Sequence, residues 1–449
     1  MSVKQFISLI LFLVFLTEKH ACFAQAQENV VNKIQDAVEA GVIVYKLTEP
    51  HEVKKFLGTP QTENRRRDGG LELLEMVYPG ARFIFGKYRS DPKAVYTLLH
   101  LRLDSKELDI GQNKKLELRH KGDLKKLDRF RGFQTVSLKK VDLRNEAELI
   151  ASMRYDSETE WPGADSLPAG FNPAHLLDNG RNPGLGLRSL HARGITGRGV
   201  GIAIIDQPLL LTHEEYASRL ARYDATGLAG FPPQMHGSPI ASIAVGKRIG
   251  VAPEATLSWF AAPMWEKDNA GYIRALRIIF DLNNHLPEDE KIRVVSISEG
   301  RFASKKNYPQ WQKALNQARE RGIFVVTCDT SFMRFGTLTL TEGTNPDHPQ
   351  NYRIGKYSFP NDVLRIPTGH KTLAGHTGNE VYVYEREGGR SWAAPYLAGL
   401  AALAFQVNPQ ITPDEIKKLL IETALHTAAG AIVNPPAFIQ KTKELQRKK

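Results

Sequence analysis

The sequence predicts an α/β fold: a three-layer domain around a mainly parallel central sheet, preceded by a smaller α+β or β-rich region. Two observations predict it. From about residue 185 onwards, short apolar runs alternate with helical segments, as in parallel strands joined by crossover helices. The apolar runs are also continuous rather than alternating, which is typical of strands that are buried on both faces.

The strands and helices of the main domain follow from these runs. Four strands are predicted, at residues 200–205, 255–261, 292–297 and 323–327. Three helices are predicted between them, at residues 238–246, 269–286 and 308–321. Sites in such sheets lie beyond the carboxyl ends of the strands, so polar residues at those positions are the candidates for function.

The chain is too long for one ordinary core, and its composition divides it into five segments. Residues 166–190 are dense in proline, glycine and asparagine, which indicates a linker. Strand-like runs at 81–85 and 96–101 and a short helix at 146–153 precede it. The predicted segments are a signal peptide (1–26), a basic N-terminal region that is either a propeptide or an accessory module (27–165), the linker (166–190), the main domain (191–430) and a basic C-terminal tail (431–449).

The first 26 residues have the pattern of a signal peptide. Lys4 precedes an apolar run at 6–16, and Ala24 and Ala26 supply small residues at a cleavage site. The run is short for a membrane span, so removal on export is favoured over the alternative of a membrane anchor. Only two cysteines occur, Cys22 and Cys328, so the cleaved chain has no internal disulfide. This fits bacterial secretion, and Cys328 is expected to be a small buried apolar residue.

The positive charge is concentrated in the N-terminal region. The net charge is +11, and residues 54–144 carry 22 Lys+Arg against 12 Asp+Glu, a difference of +10. An anionic cell-wall polymer, an acidic partner or nucleic acid would suit this charge. Acidic residues are interleaved and no nucleic-acid motif is present. We therefore expect a solvated basic face, with cell-wall polymer as the candidate partner, no nucleic acid and no stable membrane insertion.

Three polar residues stand where a site is expected. Asp206 ends the apolar run 201–206, where a single acid most often caps a turn. His236 precedes a run of small residues that opens a helix, where a lone histidine is usually a helix-start residue. Ser391 follows a glycine-rich turn and precedes a helix rich in alanine, where it would ordinarily be an N-cap. Pro395 is expected in or near the first turn of that helix.

Taken together, in the order Asp, His, Ser, these segments resemble the subtilase family of serine endopeptidases. The resemblance covers about residues 185–430 and includes His213, the Gly-Val-Ala-Pro run at 250–253 and the strand at 294–300. It implies a subtilisin-like peptidase domain in which Ser391 is the nucleophile, His236 the general base and Asp206 its orienting partner. The implied activity is hydrolysis of peptide bonds by a secreted enzyme through an acyl-enzyme intermediate.

The resemblance also implies where a protein or peptide substrate binds. It assigns Ser298, Glu299 and Gly300 to an edge to which an extended peptide adds as a strand. Gly300 would leave room for a substrate side chain, and Glu299 would favour basic residues. This chemistry requires no cofactor, and the sequence leaves a structural calcium ion open.

The sequence departs from the family pattern at three places. Gln207-Pro208 replaces a Ser/Thr-Gly turn after the acid, and Arg390 replaces a threonine before the nucleophile. The run 326–331 lacks the asparagine that binds the oxyanion, which leaves the hydroxyls of Thr330 and Ser331 as candidate donors. These departures keep a second function open, that of a subtilase-fold pseudoenzyme that binds peptide or wall polymer without hydrolysis.

Overall fold

The chain forms two compact units. The computed structural model describes residues 27–39, 43, 47–68, 71–88, 96–103, 106–107, 115–118, 120–127, 134–225, 228, 231–264, 266–331 and 333–447. The predicted signal peptide and Cys22 lie outside the described residues. One unit contains the chain up to Met153 together with Thr159–Ala169, and the other contains Arg154–Glu158 and Gly170–Lys449.

The first unit is built on an antiparallel meander. Its sheet has the order β1-β2-β3-β4-β5, and its core includes Met76, Phe83 and Phe85, which come from neighbouring strands. The predicted strands at 81–85 and 96–101 and the helix at 146–153 are confirmed. The elements are α1 (27–39), α2 (Pro50–Leu57), β1 (Thr62–Asp68), β2 (Leu71–Tyr78), β3 (Ala81–Tyr88), β4 (Thr97–Leu103), β5 (Lys106–Glu107), β6 (Leu116–Glu117), β7 (Val136–Ser137) and α3 (Ala147–Ser152).

The second unit contains a five-stranded sheet in the order β10-β11-β9-β12-β13, and every pair in it is parallel. Ile202 and Ile204 of β9 belong to one apolar core, whereas Ala203 and Ile205 belong to the other. The sheet is therefore buried on both faces, as its continuous apolar runs predict. Its strands, with the short β8 before them, are β8 (Tyr155–Asp156), β9 (Gly201–Asp206), β10 (Leu220–Asp224), β11 (Thr256–Ala261), β12 (Ile292–Ile297) and β13 (Phe324–Thr327).

Helices cover both faces, which confirms the three-layer α/β fold. The helices α6 and α9 contribute to the first core, and α7 and α8 contribute to the second. The three predicted helices correspond to α6, α7 and α8 within a few residues. The helices of this unit are α4 (Pro173–Gly180), α5 (Leu187–Ala192), α6 (Gly237–Val245), α7 (Ala270–Asn283), α8 (Tyr308–Glu320), α9 (Arg390–Val407), α10 (Pro413–Glu422) and α11 (Pro435–Gln446).

Two further sheets complete the second unit. One has the order β15-β14-β16-β20-β19, and the other is a small antiparallel sheet in the order β17-β18-β8. The strands are β14 (Phe335–Leu340), β15 (Tyr352–Ile354), β16 (Leu364–Gly369), β17 (Lys371–Ala374), β18 (Tyr382–Glu385), β19 (Leu425–Thr427) and β20 (Gly430–Ile432).

The segments predicted as a linker and as a tail are helical in part. Within 166–190, Pro173 occupies the first turn of α4 behind the cap residue Asn172, and Leu187 of α5 is fully buried. Within 431–449, Pro435 begins α11 and Phe438 is fully buried. The prolines start helices here instead of ending them, because proline is tolerated where the backbone N–H has no partner in the helix. Residues 170–190 and 431–447 are thus packed parts of the second unit.

Candidate active site

Asp206 and His236 lie side by side at the carboxyl end of β9. Asp206 is the last residue of β9 and is fully buried, and His236 immediately precedes α6. The distance from His236 Nδ1 to Asp206 Oδ1 is 2.6 Å, and the N–H of Gln207 donates to the same oxygen at 2.8 Å. An ionised carboxylate only accepts hydrogen bonds, so the proton of a neutral His236 is on Nδ1. Its Nε2 is then free to accept a proton.

The turn after Asp206 is fixed by backbone contacts. The indole N–H of Trp259 donates to the carbonyl oxygen of Gln207 at 3.1 Å. A Cβ atom at Gly237 would lie 3.0 Å from the carbonyl oxygen of Pro208, so a larger residue here would make a tight contact with the turn. The Oδ2 atom of Asp206 has no hydrogen-bond partner among the residues that the structure describes. The turn at Gln207-Pro208 therefore supports only one carboxylate oxygen of Asp206, through the N–H of Gln207.

Ser391 lies in the first turn of α9. Gly389 is the N-cap, and Gly388 before it has a φ of 58°, where L side chains are disfavoured. A Cβ atom at Gly388 would also collide with the carbonyl oxygen of Thr368. The indole ring of Trp392 lies 5.1 Å from the imidazole of His236, centroid to centroid, which brings the start of α9 next to this histidine. The first N–H groups of this helix point out of its N-terminus, where they favour negative charge.

Ser298 and Ser391 exchange two hydrogen bonds. The helix begins at Arg390, so Pro395 lies in the second turn and cannot donate to the carbonyl oxygen of Ser391 four residues earlier. The hydroxyl of Ser298 donates to that oxygen instead, at 2.8 Å. The hydroxyl of Ser391 in turn donates to the carbonyl oxygen of Ser298, at 3.4 Å. The residue after β12 thereby fixes the backbone of the predicted nucleophile.

The side chain of Arg390 lies beside an acidic residue and two aromatic rings. Its Nη1 lies 3.5 Å from Asp362 Oδ1, and its guanidinium carbon lies 5.0 Å from the centroid of Phe335 and 5.7 Å from that of Phe359. The side chain of Asp362 is almost completely buried. The cation that precedes Ser391 is therefore held by a carboxylate and two aromatic rings.

Glu299 and Gly300 make contacts within the protein. Glu299 is buried, and its Oε2 lies 3.0 Å from the Nζ of Lys305. Burial alone would raise the pKa of Glu299, but the N–H donated by Gly300 and the pair with Lys305 outweigh it, so this pKa is lowered. A Cβ atom at Gly300 would lie 2.7 Å from the carbonyl oxygen of Cys328. The charge of Glu299 is thus balanced internally, and the space beside Gly300 is filled by the Cys328 backbone.

The candidate oxyanion donors Thr330 and Ser331 are exposed. They follow Asp329, whose Oδ1 accepts the N–H of Ser331 at 2.9 Å. This bond turns the loop directly after β13. A cavity of about 650 Å³ lies next to it, and its lining includes Thr327, Asp329 and Ser331 together with residues of α8 and α10.

Cys328 is packed close to the start of α9. Its thiol lies 3.4 Å from the carbonyl oxygen of Arg390, and burial raises the pKa of the thiol to about 12. A thiol of this kind is protonated at neutral pH and is a poor nucleophile. Within the described ranges, no cluster of three or more His, Cys, Asp and Glu side chains has the arrangement of a metal site. In the same part of the chain, no helix has the length and hydrophobicity needed to cross a membrane.

Comparison with known proteins identifies the family. The profile of the subtilase family matches residues 197–332 and 342–446, which is more than half of the chain. The chain belongs to the subtilase family. The matched residues contain Asp206, His236 and Ser391, and they lie within the second unit, whereas residues 27–153 precede the match.

Relatives of this subtilase are distant in sequence. The subtilisin-like protease PopC of Myxococcus xanthus is 25% identical over 287 residues, which cover 54% of this chain and 58% of PopC. An extracellular serine proteinase of Thermus sp. is 26% identical over 301 residues, covering 64% of this chain and 71% of that protein. Among solved structures, a chain from the subtilase cytotoxin SubAB assembly is 14% identical at a TM-score of 0.47, and the match covers 59% of this chain and 96% of that one.

Some residues around the site carry no local signal in the sequence. Asp362 reaches Arg390 from the loop before β16, and Lys305 reaches Glu299 from the loop before α8. Trp392 adjoins the nucleophile, but nothing in the sequence indicates that its ring contacts His236.

Proposed function

We propose that this protein is a secreted serine endopeptidase that hydrolyses peptide bonds through Asp206, His236 and Ser391. The observation that carries the proposal is the 2.6 Å contact between His236 Nδ1 and Asp206 Oδ1 at the end of β9. It leaves Nε2 as the basic atom of an imidazole that lies beside the start of α9. Membership of the subtilase family and the names of the two relatives support the same reaction class.

In the proposed mechanism His236 takes the proton of the Ser391 hydroxyl while the oxygen attacks the scissile carbonyl carbon. The hydroxyl has to give up its 3.4 Å bond to the Ser298 carbonyl and turn to Nε2 for this step. Asp206 keeps the ring oriented and stabilises the imidazolium. The N–H groups at the start of α9 would stabilise the negative charge that develops on the carbonyl oxygen. His236 then protonates the leaving amine, and water hydrolyses the acyl-enzyme.

A pseudoenzyme that binds peptide without cleaving it is the second candidate. The bond from Ser391 to the Ser298 carbonyl favours it, because this hydroxyl is not directed to the base. The exposed loop at Thr330 and Ser331, which replaces the oxyanion asparagine, favours it as well.

A covalent fluorophosphonate probe separates the two candidates, because it reacts only with an activated serine. The endopeptidase proposal expects labelling of the purified chain, mapped by mass spectrometry to the peptide that contains Ser391. Labelling should be absent in Ser391→Ala and at least a hundredfold slower in His236→Ala, since the base activates the hydroxyl. A folded wild-type chain that takes up no probe would overturn the proposal and favour the pseudoenzyme.

Export is part of the proposal. The pattern of residues 1–26 supports it, and so does the extracellular location in the name of the Thermus relative. The N-terminal sequence of the exported protein should begin near Gln27. Recovery of the chain with Met1 retained in the membrane fraction would contradict removal of a signal peptide.

A further inference from the structure

Strand β8 belongs to the second unit, which contains Asp206, His236 and Ser391, although it lies before the part of the chain that matches the family profile. Tyr155 pairs with Tyr384 and Asp156 with Val383, so β8 is an edge strand of the small sheet and lies beside β18. The N–H of Ser157 donates to the carbonyl oxygen of Tyr382 at 2.8 Å. Residues 159–169, which follow β8, belong to the other unit.

The side chain of Tyr155 anchors this strand. It is fully buried, and its ring is stacked on that of Tyr384 with the centroids 5.0 Å apart. Its hydroxyl donates to the carbonyl oxygen of Pro173 at 3.2 Å. Apolar burial, a ring contact and backbone hydrogen bonds thus hold residues 154–158 to the second unit.

Arg154 reaches from this strand to the turn that carries the nucleophile. Its Nη2 lies 2.7 Å from Oε2 of Glu385, the last residue of β18, which is only 2% exposed. The Oε1 atom of Glu385 accepts the N–H groups of Glu387 and Gly388, each at 3.3 Å. These two residues directly precede Gly389, the N-cap of the helix that contains Ser391. A buried carboxylate without a cation is unfavourable, so the ion pair with Arg154 stabilises Glu385 in the position where it holds the turn.

From these contacts we infer that Arg154 is a positioning residue for Ser391, acting through Glu385 on the turn at 387–389. Residues 154–158 are accordingly a permanent part of the active enzyme, and a cut within 166–190 does not by itself release them. The catalytic part of this inference rests on the proposed endopeptidase function. The structural part, namely that the turn depends on Arg154, does not rest on that function.

Hydrogen–deuterium exchange of the full-length chain tests the structural part, with no need for activity. In Arg154→Met the amides of the peptide that covers 386–391 should exchange at least fivefold faster than in wild type, because the turn loses its anchor. Arg154→Lys retains the cation and should stay within twofold. Tyr155→Phe, the matched control on the same strand, removes the bond to Pro173 without touching Glu385 and should leave this peptide unchanged.

Unchanged exchange in Arg154→Met, or an equal increase in Tyr155→Phe, would overturn the inference. If Arg154→Met does not fold, Arg154→Gln serves in its place, since its amide can donate to Glu385 without charge. The expected increase is then about twofold to fivefold, and wild-type exchange would again overturn the inference.

The rate of fluorophosphonate labelling tests the catalytic part. It should fall about tenfold in Arg154→Met, recover in Arg154→Lys and stay at the wild-type value in Tyr155→Phe. A labelled, fully active form that lacks residues 154–158 altogether would contradict their permanent role. A wild-type chain that takes up no probe would defeat the proposed endopeptidase function, and the exchange experiment would still decide the role of Arg154.

Discussion

At the scale of single residues, the site combines a supported base with an unusual setting for the serine. Asp206 and His236 have the contact that a general base needs, and the second oxygen of Asp206 has no partner within the described chain. Ser391 is fixed through its backbone by the hydroxyl of Ser298. The adjacent Arg390 is paired with Asp362, so the effect of its positive charge on Ser391 is partly neutralised.

Oxyanion stabilisation is expected to depend on a hydroxyl of the loop after β13. If Thr330 or Ser331 is the donor, Thr330→Val or Ser331→Ala should lower kcat at least tenfold with little change in KM, because the bond forms mainly in the transition state. Loss of one such donor lowers turnover about 10²–10³-fold, a magnitude taken from subtilisin itself. One of Thr330→Asn and Ser331→Asn should match or exceed the wild-type kcat.

Steady-state kinetics of these four variants with a chromogenic peptide gives the answer. Ser304→Ala, an exposed hydroxyl on the loop before α8, is the control for nonspecific effects. If neither removal matters and neither asparagine helps, the hydroxyl is not the donor, and the backbone N–H groups of α9 act without it.

At the scale of elements, the short segments around the main sheet are connected by buried polar contacts. Lys371 at the start of β17 is buried, and its Nζ donates to the carbonyl oxygen of Pro183 at 3.0 Å. Asp347 accepts hydrogen bonds from the side chain of Asn182 and from the N–H of Gly186. These bonds hold the segment predicted as a linker against the second unit.

Lys371 should give the folded protein a measurable pH dependence. Burial lowers the pKa of its ammonium group from 10.5 to about 8, against the opposing effect of Asp347. Between pH 8 and 10.5 the folded state has lost this proton while the unfolded state retains it, so stability rises with pH in this window. Between pH 8 and 10.5 the free energy of unfolding should rise by on the order of 3 kcal/mol.

Chemical denaturation at pH 7.5, 9 and 10.5 measures this effect. The free energy of unfolding of wild type should rise relative to that of Lys371→Met across the series. Lys313→Met removes an exposed lysine of the same unit and should run parallel to wild type. Parallel curves for wild type and Lys371→Met would show that burial does not shift this group.

The local pattern of the sequence was sufficient for four of the five strands of the main sheet, but not for β10, which is only half-buried or exposed and has no continuous apolar run. The pairing of Asp206 with His236 was implied by the family resemblance. Both residues stand at the ends of regular elements, where topology brings them together. Arg154 and Glu385 are more than 200 residues apart, and no spacing connects them before the chain is folded. The segment 166–190 was interpreted as a linker because of its proline, glycine and asparagine content, yet Asn172-Pro173 starts a helix, because the same residues suit turns and helix N-termini alike.

At the scale of the whole molecule, the family domain is accompanied by a folded basic unit. Residues 54–144 carry an excess charge of +10, and Arg65, Arg66 and Arg67 form an exposed run on β1. We predict that this unit attracts anionic polymer by screened electrostatics. Binding of the Ser391→Ala chain to dextran sulfate should fall steeply between 0.05 M and about 0.5 M NaCl. The reason is that added salt shortens the distance over which charges attract each other.

A charge-matched pair of variants locates the binding. Replacement of the three arginines by glutamine should weaken binding and reduce its salt dependence. Replacement of Lys313, Lys356 and Lys418, three exposed lysines of the other unit, should have much less effect. Binding that is independent of salt, or that both triple variants weaken equally, would contradict a role for the basic unit.

Asp206, His236 and Ser391 are proposed to act as one catalytic unit. Turnover of a peptide substrate by wild type, Ser391→Ala, His236→Ala and the double variant tests it most directly. Each single replacement should remove nearly all hydrolysis, and the double variant should be only slightly slower than either, because the two residues perform one step together. Additive losses, or undiminished turnover in Ser391→Ala, would contradict the claim and show that other residues perform the chemistry.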